Sequence, residues 1–196
     1  MTIYVIPKQK LDRMYLNTLR TITLAITLSL SQSTTIYSTA YQELDSIASK
    51  KLELVYHVDK QVNDMKISHS IVEHALTNNI DICFMLAQSK IETNYGKTGI
   101  GKRKNSIFGI VSRRYSHLTE SIEDYCSILT KDYLVNGKTE QHLLSEFVNK
   151  HGDRYAESRE YEAHLSSVYH DIKSTSKIHK LQNEIILEKS SRVVDE

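Results

Sequence analysis

From Ile67 onward the apolar residues return every three or four positions. Ile67, Ile71, His74 and Ala75 share one helical face, and Asn78-Asn79 ends the pattern. Asp81 then suits the cap of a second helix running to about Asn94, with Ile82, Met85, Leu86 and Ser89 as its stripe and Gly96 placed for a left-handed C-terminal cap. Four of the six glycines follow within residues 96–109, at 96, 99, 101 and 109. Such crowding calls for backbone shapes a side chain forbids, or for close approach of a ligand. The segment Asn105 to Val111 reads as a short β-prone strand or turn. Three further helices are predicted. Ser121 to Asp124 forms a capping box before Ile122, Tyr125, Cys126, Leu129 and Tyr133. Thr139 opens the next, which carries Leu143, Leu144, Phe147 and Val148 to a stop at Gly152. The last runs from about Glu157 with Tyr161, Leu165, Val168, Tyr169 and Ile172 on one face. Residues 41–66 suit a helical arm, and residues 173–196 read as a charged, frayed amphipathic tail.

Composition narrows the class. A formal net charge of +1, with 40% hydrophobic and 25% charged residues, is that of a folded domain and not of a polycation or an acidic tail. One proline and six glycines in 196 residues favour helix over a turn-rich sandwich. Cys83 and Cys126 are too few for a disulfide framework or a four-thiolate zinc site, and Cys126 lies in an apolar stripe, which suits buried thiols. The nine histidines do not fall at ligand spacing, and no phosphate loop or dinucleotide fingerprint is present, so neither a metal nor a cofactor is expected. Lys97, Lys102, Arg103, Lys104, Arg113 and Arg114 form a stretch without acids, which suits a solvated loop or a rim for an anionic surface; with so small a net charge, nucleic acid is not expected as a partner. Residues 1–40 differ from the rest. Lys8, Lys10, Arg13 and Arg20 precede the apolar run Ile22 to Leu30, and small residues allow a cut after Ala40. That order is the layout of a secretory signal peptide, and the run is short of the about 20 residues a membrane span needs. The alternative is an arm packed on the domain or on a partner, such as a membrane or a virion.

The most informative single residue is Glu92. It lies seven positions after Met85 and three after Ser89, continuing the apolar stripe into the last turn of its helix. Desolvation and the negative end of the helix dipole both raise a carboxyl pKa there, which suits a general acid. The same position also fits an exposed glutamate paired near Lys97.

The run Ala87 to Lys97 (AQSKIETNYGK), followed by Asn105-Ser106-Ile107-Phe108-Gly109-Ile110, resembles the glucosaminidase family of the lysozyme-like superfamily. Arg114-Tyr115 with Glu120-Ser121-Ile122-Glu123-Asp124-Tyr125 is similar to that family's next block, and Tyr155-Ala156 with Tyr161 and Leu165 to its closing helix. The four blocks span residues 67–172 in the family's order, within an expected catalytic domain of residues 41–172. The resemblance implies a mainly α, lysozyme-like α+β fold: a helical lobe, a small glycine-rich β lobe and a cleft between them. It implies hydrolysis of β-1,4 bonds after N-acetylglucosamine in peptidoglycan glycan strands, at the cell envelope or from a phage virion. Glu92 then matches the acid. Asn105, Phe108 and Gly109 match the cleft-floor motif, Tyr115 the tyrosine of the next block, and Tyr155 a tyrosine reaching the sugar. Tyr95 stands where the family usually has tryptophan, offering an aromatic face. Thr93-Asn94 replaces Ser-Gly, Ser106 replaces a second Asn, and residues 156–159 lack the common Thr-Asp-Pro, departures that bear on substrate preference. Glycoside hydrolysis ordinarily uses a second carboxylate, or the substrate's own acetamido group. No acid occurs between Glu92 and Glu120, so Glu120 ranks first, ahead of Asp153. A lytic transglycosylase, or a silent wall-binding or virion module, are the rival readings.

Overall fold

A computed structural model describes residues 34–158 and 160–193 of the chain. The chain divides into two units, residues 1–46 and residues 47–196. The described part of the first unit is the beginning of helix α1 (Thr34–Val62). The expected cut after Ala40 falls in that helix, whereas the basic and apolar segments before it lie outside the described residues.

The second unit continues α1 and adds α2 (Met65–Asn78), α3 (Ile82–Thr93), α4 (Gly99–Lys104), α5 (Leu118–Ile128), α6 (Glu140–Leu143), α7 (Tyr161–Thr175) and α8 (Ile178–Val193). One π-helical turn, Leu129–Tyr133, extends α5. No described helix is long and apolar enough to cross a membrane.

Helix α3 is the spine, packed by α2, α4, α7 and α8. Every residue from Ile82 to Ser89 is buried, so the helix is wrapped on all sides instead of showing the single stripe read from its spacing. Its N-terminus is tied from four directions. Asp81 Oδ1 accepts from the amides of Cys83 (2.7 Å) and Phe84 (3.4 Å), and Asp81 Oδ2 accepts from the Tyr169 hydroxyl at 2.8 Å. Glu140 Oε1 accepts from Asp81 N at 2.9 Å. The Gln182 amide accepts from Ile82 N and donates to Ile80 O. The capping preference of Asp81 is thus one part of a larger clasp.

Several elements differ from the sequence expectation. Residues 96–118 hold a short helix and turns, and no strand occurs among the described residues; the one isolated bridge joins Val148 and Arg154. The β-prone run from Asn105 to Val111 is a turn region because its backbone is tied to side chains of α3 and α5, not to a second strand. The left-handed cap of α3 is Asn94 (φ 47), with Tyr95 and Gly96 also at positive φ; asparagine tolerates that region without help from Gly96. Helix α5 begins at Leu118, not at the Ser121 box, because the Ser121 hydroxyl is taken by Leu118 O and Ile107 N. The helix expected from Thr139 to Gly152 is only four residues long, although Thr139 does form a capping box with His142. The tail is no frayed end: α8 buries Ile178, Leu181 and Ile185 in the core. Cys83 and Cys126 are free and buried, and burial pushes both thiols up to about 12.

Candidate active site

Glu92 occupies the last turn of α3, where the wrapped spine first becomes partly open. The Tyr161 hydroxyl, from the first residue of α7, donates to Glu92 Oε1 at 2.6 Å. Glu92 Oε2 faces the backbone of Gly109: a Cβ placed on that glycine would lie 2.7 Å from Oε2 and 3.3 Å from Glu92 Cβ. Gly109 also has φ +71. No cation comes within ion-pair distance of Glu92 among the described residues. Burial therefore raises its pKa, and the Tyr161 hydrogen bond offsets part of that rise. With Tyr161 donating to Oε1, a proton bound by this carboxyl sits on Oε2, the oxygen beside Gly109.

The loop carrying Gly109 is fixed by polar side chains of buried helices. Thr93 Oγ1 donates to Ile107 O at 2.6 Å and accepts from Gly96 N at 2.7 Å. Helix α4 comes so close to the end of α3 that a Cβ on Gly101 would meet Thr93 Cβ at 2.6 Å. Asn105 Nδ2 donates to the carbonyls of Tyr115 (3.0 Å) and Ser116 (3.2 Å), so Asn105 folds residues 105–116 back on themselves. Phe108 is fully buried and stacks on Tyr125, ring centroids 3.7 Å apart.

Tyr155 is brought to the same place from the far end of the chain. Its hydroxyl donates to Phe108 O at 3.0 Å, and its ring stacks on Phe147 at 4.4 Å and sits 5.6 Å from the ring of Tyr161. Arg154, the next residue back, makes two 2.7 Å contacts to the carboxylate of Glu162, whose Oε1 also accepts from Phe147 N. The π turn delivers Tyr133 against Phe147 and Tyr155; such turns recur at functional sites. Glu92, Gly109, Phe108, Tyr155 and Tyr161 therefore form one connected cluster.

The other expected site residues lie differently. Tyr95 is 6% exposed, with its ring in the core and its hydroxyl unpartnered, and burial pushes that phenol up to about 12. Tyr115 is 5% exposed and donates to Asp124 Oδ2 at 2.6 Å. Glu120 is exposed at the start of α5, where Oε2 accepts from Ser116 N at 2.8 Å. Tyr115 and Glu120 line an open cavity of about 490 Å³ with Arg113, Arg114 and Asp124, and Glu92 is not among its lining residues. Asp153 bonds to Asn149. Among the described residues, no three His, Cys, Asp or Glu side chains gather as a metal site.

Sequence spacing did not single out Gln88, Thr93 or the pairing of Tyr161 with Glu92. The signal for the first two was a polar residue inside an otherwise apolar helix. Residues 68–174 match the family model described as Glucosaminidase: mannosyl-glycoprotein endo-beta-N-acetylglucosaminidase. No curated protein matches the chain.

Proposed function

The chain belongs to the glucosaminidase family and is a glycosidase-type enzyme; from that premise we propose that it hydrolyses β-1,4 bonds after N-acetylglucosamine in peptidoglycan, with Glu92 as general acid. One observation carries the reading: a partly buried carboxyl with no cation paired to it among the described residues, one oxygen held by a tyrosine and the other facing a glycine. Such a group keeps its proton to higher pH and can give it up in one direction. Glu92 passes the Oε2 proton to the glycosidic oxygen as the bond to C1 breaks, so the leaving sugar departs with a free hydroxyl. Water then adds at C1 and gives its proton to a base. Glu120 is the carboxylate proposed for that base; the substrate's acetamido group is the alternative participant. Tyr155 would stand beside the sugar, and the cavity shared by Tyr115 and Glu120 would take a neighbouring part of the strand. A wall substrate places the enzyme at the cell envelope or on a virion.

The test is mass analysis of fragments released from purified peptidoglycan by the full chain, by Glu92→Gln and by Glu120→Gln. Reducing N-acetylglucosamine ends from the parent, lost with Glu92→Gln, are expected. Retained activity in Glu120→Gln would transfer the second role to the acetamido group. Anhydromuramyl ends would instead make the protein a lytic transglycosylase. No release, with the wall still bound, would make it a binding module.

A further inference from the structure

Tyr133 is the aromatic member of the cluster around Glu92 that the chemistry above leaves without a role. Of the tyrosines packed there, Tyr125 donates its hydroxyl proton to Gln88 Oε1, Tyr155 to Phe108 O and Tyr161 to Glu92 Oε1. The Tyr133 hydroxyl makes no hydrogen bond among the described residues, and the side chain is half-buried. Phenylalanine would pack as well against Phe147 and Tyr155, so packing does not explain the oxygen.

The place of Tyr133 is fixed from two sides. It ends the π turn, which Leu134 N closes onto Leu129 O at 2.7 Å. The turn is clasped from outside by Lys150, whose amide donates to Asp132 O at 2.6 Å. Lys150 Nζ also reaches Asp132 Oδ1 at 2.8 Å and Lys131 O at 3.3 Å. Lys150 sits in the short hairpin that carries Tyr155. Tyr155 N donates to Phe147 O and Asn149 N to Asp153 O, an antiparallel pairing about the Val148–Arg154 bridge. Residues two apart in such a pairing point to one side. Asp153 therefore stands on the side of Tyr155, where its Oδ2 accepts from Asn149 Nδ2 at 3.1 Å. The row of rings starts at Tyr161 on Glu92, continues 5.6 Å to Tyr155 and then 6.1 Å to Tyr133. All three are half-buried, and the fully buried Phe147 packs against each of them.

We propose that Tyr133 and Asp153 form a saccharide subsite for the pyranose unit next to the one held at Glu92. The subsite rests on the glycan-cleaving reading of Glu92. The partly open ring offers an apolar face to the C–H bonds of the sugar. The free hydroxyl and the Asp153 carboxylate accept protons from its hydroxyl and amide groups. Burial raises the pKa of the Tyr133 phenol, and the Asp132 and Asp153 carboxylates add to the rise, so the hydroxyl keeps its proton and can also donate. Lys150 is a positioning residue, acting through the π turn. The cavity at Tyr115 and Glu120 lies at the start of α5 and Tyr133 just beyond its end, so the two engage different parts of a strand.

The test measures binding by calorimetry in the full chain carrying Glu92→Gln, with wall glycan fragments two and four sugars long. Adding Tyr133→Leu should weaken the four-sugar fragment about tenfold and leave the two-sugar fragment unchanged. Tyr133→Phe keeps the ring packed on Phe147 and tests the hydroxyl alone; the longer fragment should lose about threefold. Lys150→Met should weaken the longer fragment in the same selective way. In the active chain, Tyr133→Leu should raise KM on peptidoglycan with kcat nearly unchanged. Equal losses on both fragments, or no loss on the longer one in either Tyr133 variant, would overturn the subsite. So would failure to bind either fragment. A parent chain that releases nothing from the wall, yet binds the longer fragment through Tyr133, would sink the acid reading and leave the subsite standing.

Discussion

The carboxyl of Glu92 and the bare backbone of Gly109 meet without a side chain between them, and that contact sets what single substitutions do. Gly109→Ala would place a methyl 2.7 Å from Oε2, at a residue with φ +71. The left-handed backbone alone costs about 1–2 kcal/mol for a residue with a Cβ. The methyl would also cover the oxygen proposed to give up the proton. Activity should therefore fall much further than the loss of stability explains, which thermal melts run beside glycan release will separate. Glu92→Gln should lower kcat by about 10²–10⁴-fold, the usual share of general acid catalysis. It should leave the melting temperature at neutral pH equal or higher, because burial disfavours the ionised carboxyl that the amide replaces. A fall of many degrees would assign Glu92 a structural ion pair.

Elements hold this contact through few atoms. The Thr93 hydroxyl joins the end of α3 to both Ile107 O and Gly96 N. Thr93→Val keeps the shape and leaves both backbone groups buried and unpaired, an expected loss of about 1–3 kcal/mol in denaturant unfolding. The loop and Gly109 should loosen with it, lowering activity at temperatures where the fold persists. Legibility in the sequence follows the same division. The buried helix ending at Glu92 could be read because its period, its Asp81 cap and its neighbouring glycines are local signals. Tyr161 could not be paired with Glu92 from spacing, since 69 positions separate them and only tertiary packing closes the gap. The short α6 shows the reverse failure. Thr139 announces a helix, but Phe147 is drawn out of it by the hydrogen bonds that Glu162 and Tyr155 make to its backbone. The segment from Asn105 to Val111 allowed a strand or a turn through its β-prone side chains. The hydroxyls of Thr93 and Ser121 took the backbone groups that a strand partner would have used.

Across the molecule, both ends of α3 carry a carboxyl whose pKa burial raises, so they respond alike to pH. At the far end from Glu92, burial raises the pKa of Glu140, and the nearby Asp81 carboxylate adds to the rise. The folded state thus holds this proton more tightly than the unfolded chain, where a glutamate titrates near about 4.3. Stability is unaffected below that value and is lost as pH rises through the folded pKa. Glu140→Gln keeps an acceptor for Asp81 N and removes the charge. It should raise the melting temperature at pH 7 and leave it unchanged near pH 3; equal melting at both would mean that the carboxylate is solvated.

The clasp at that end also includes Gln182, eight residues past the last position of the family match at residue 174. Gln182 satisfies Ile80 O and Ile82 N, and Ile178, Leu181 and Ile185 around it are buried. The homologous region is therefore shorter than the piece of chain that can fold as a unit. A recombinant fragment trimmed to the matched boundary would keep every residue of the proposed chemistry. It would lack the lock on the helix that carries Glu92, and an inactive fragment of that kind would report a lost foundation, not a missing catalytic group.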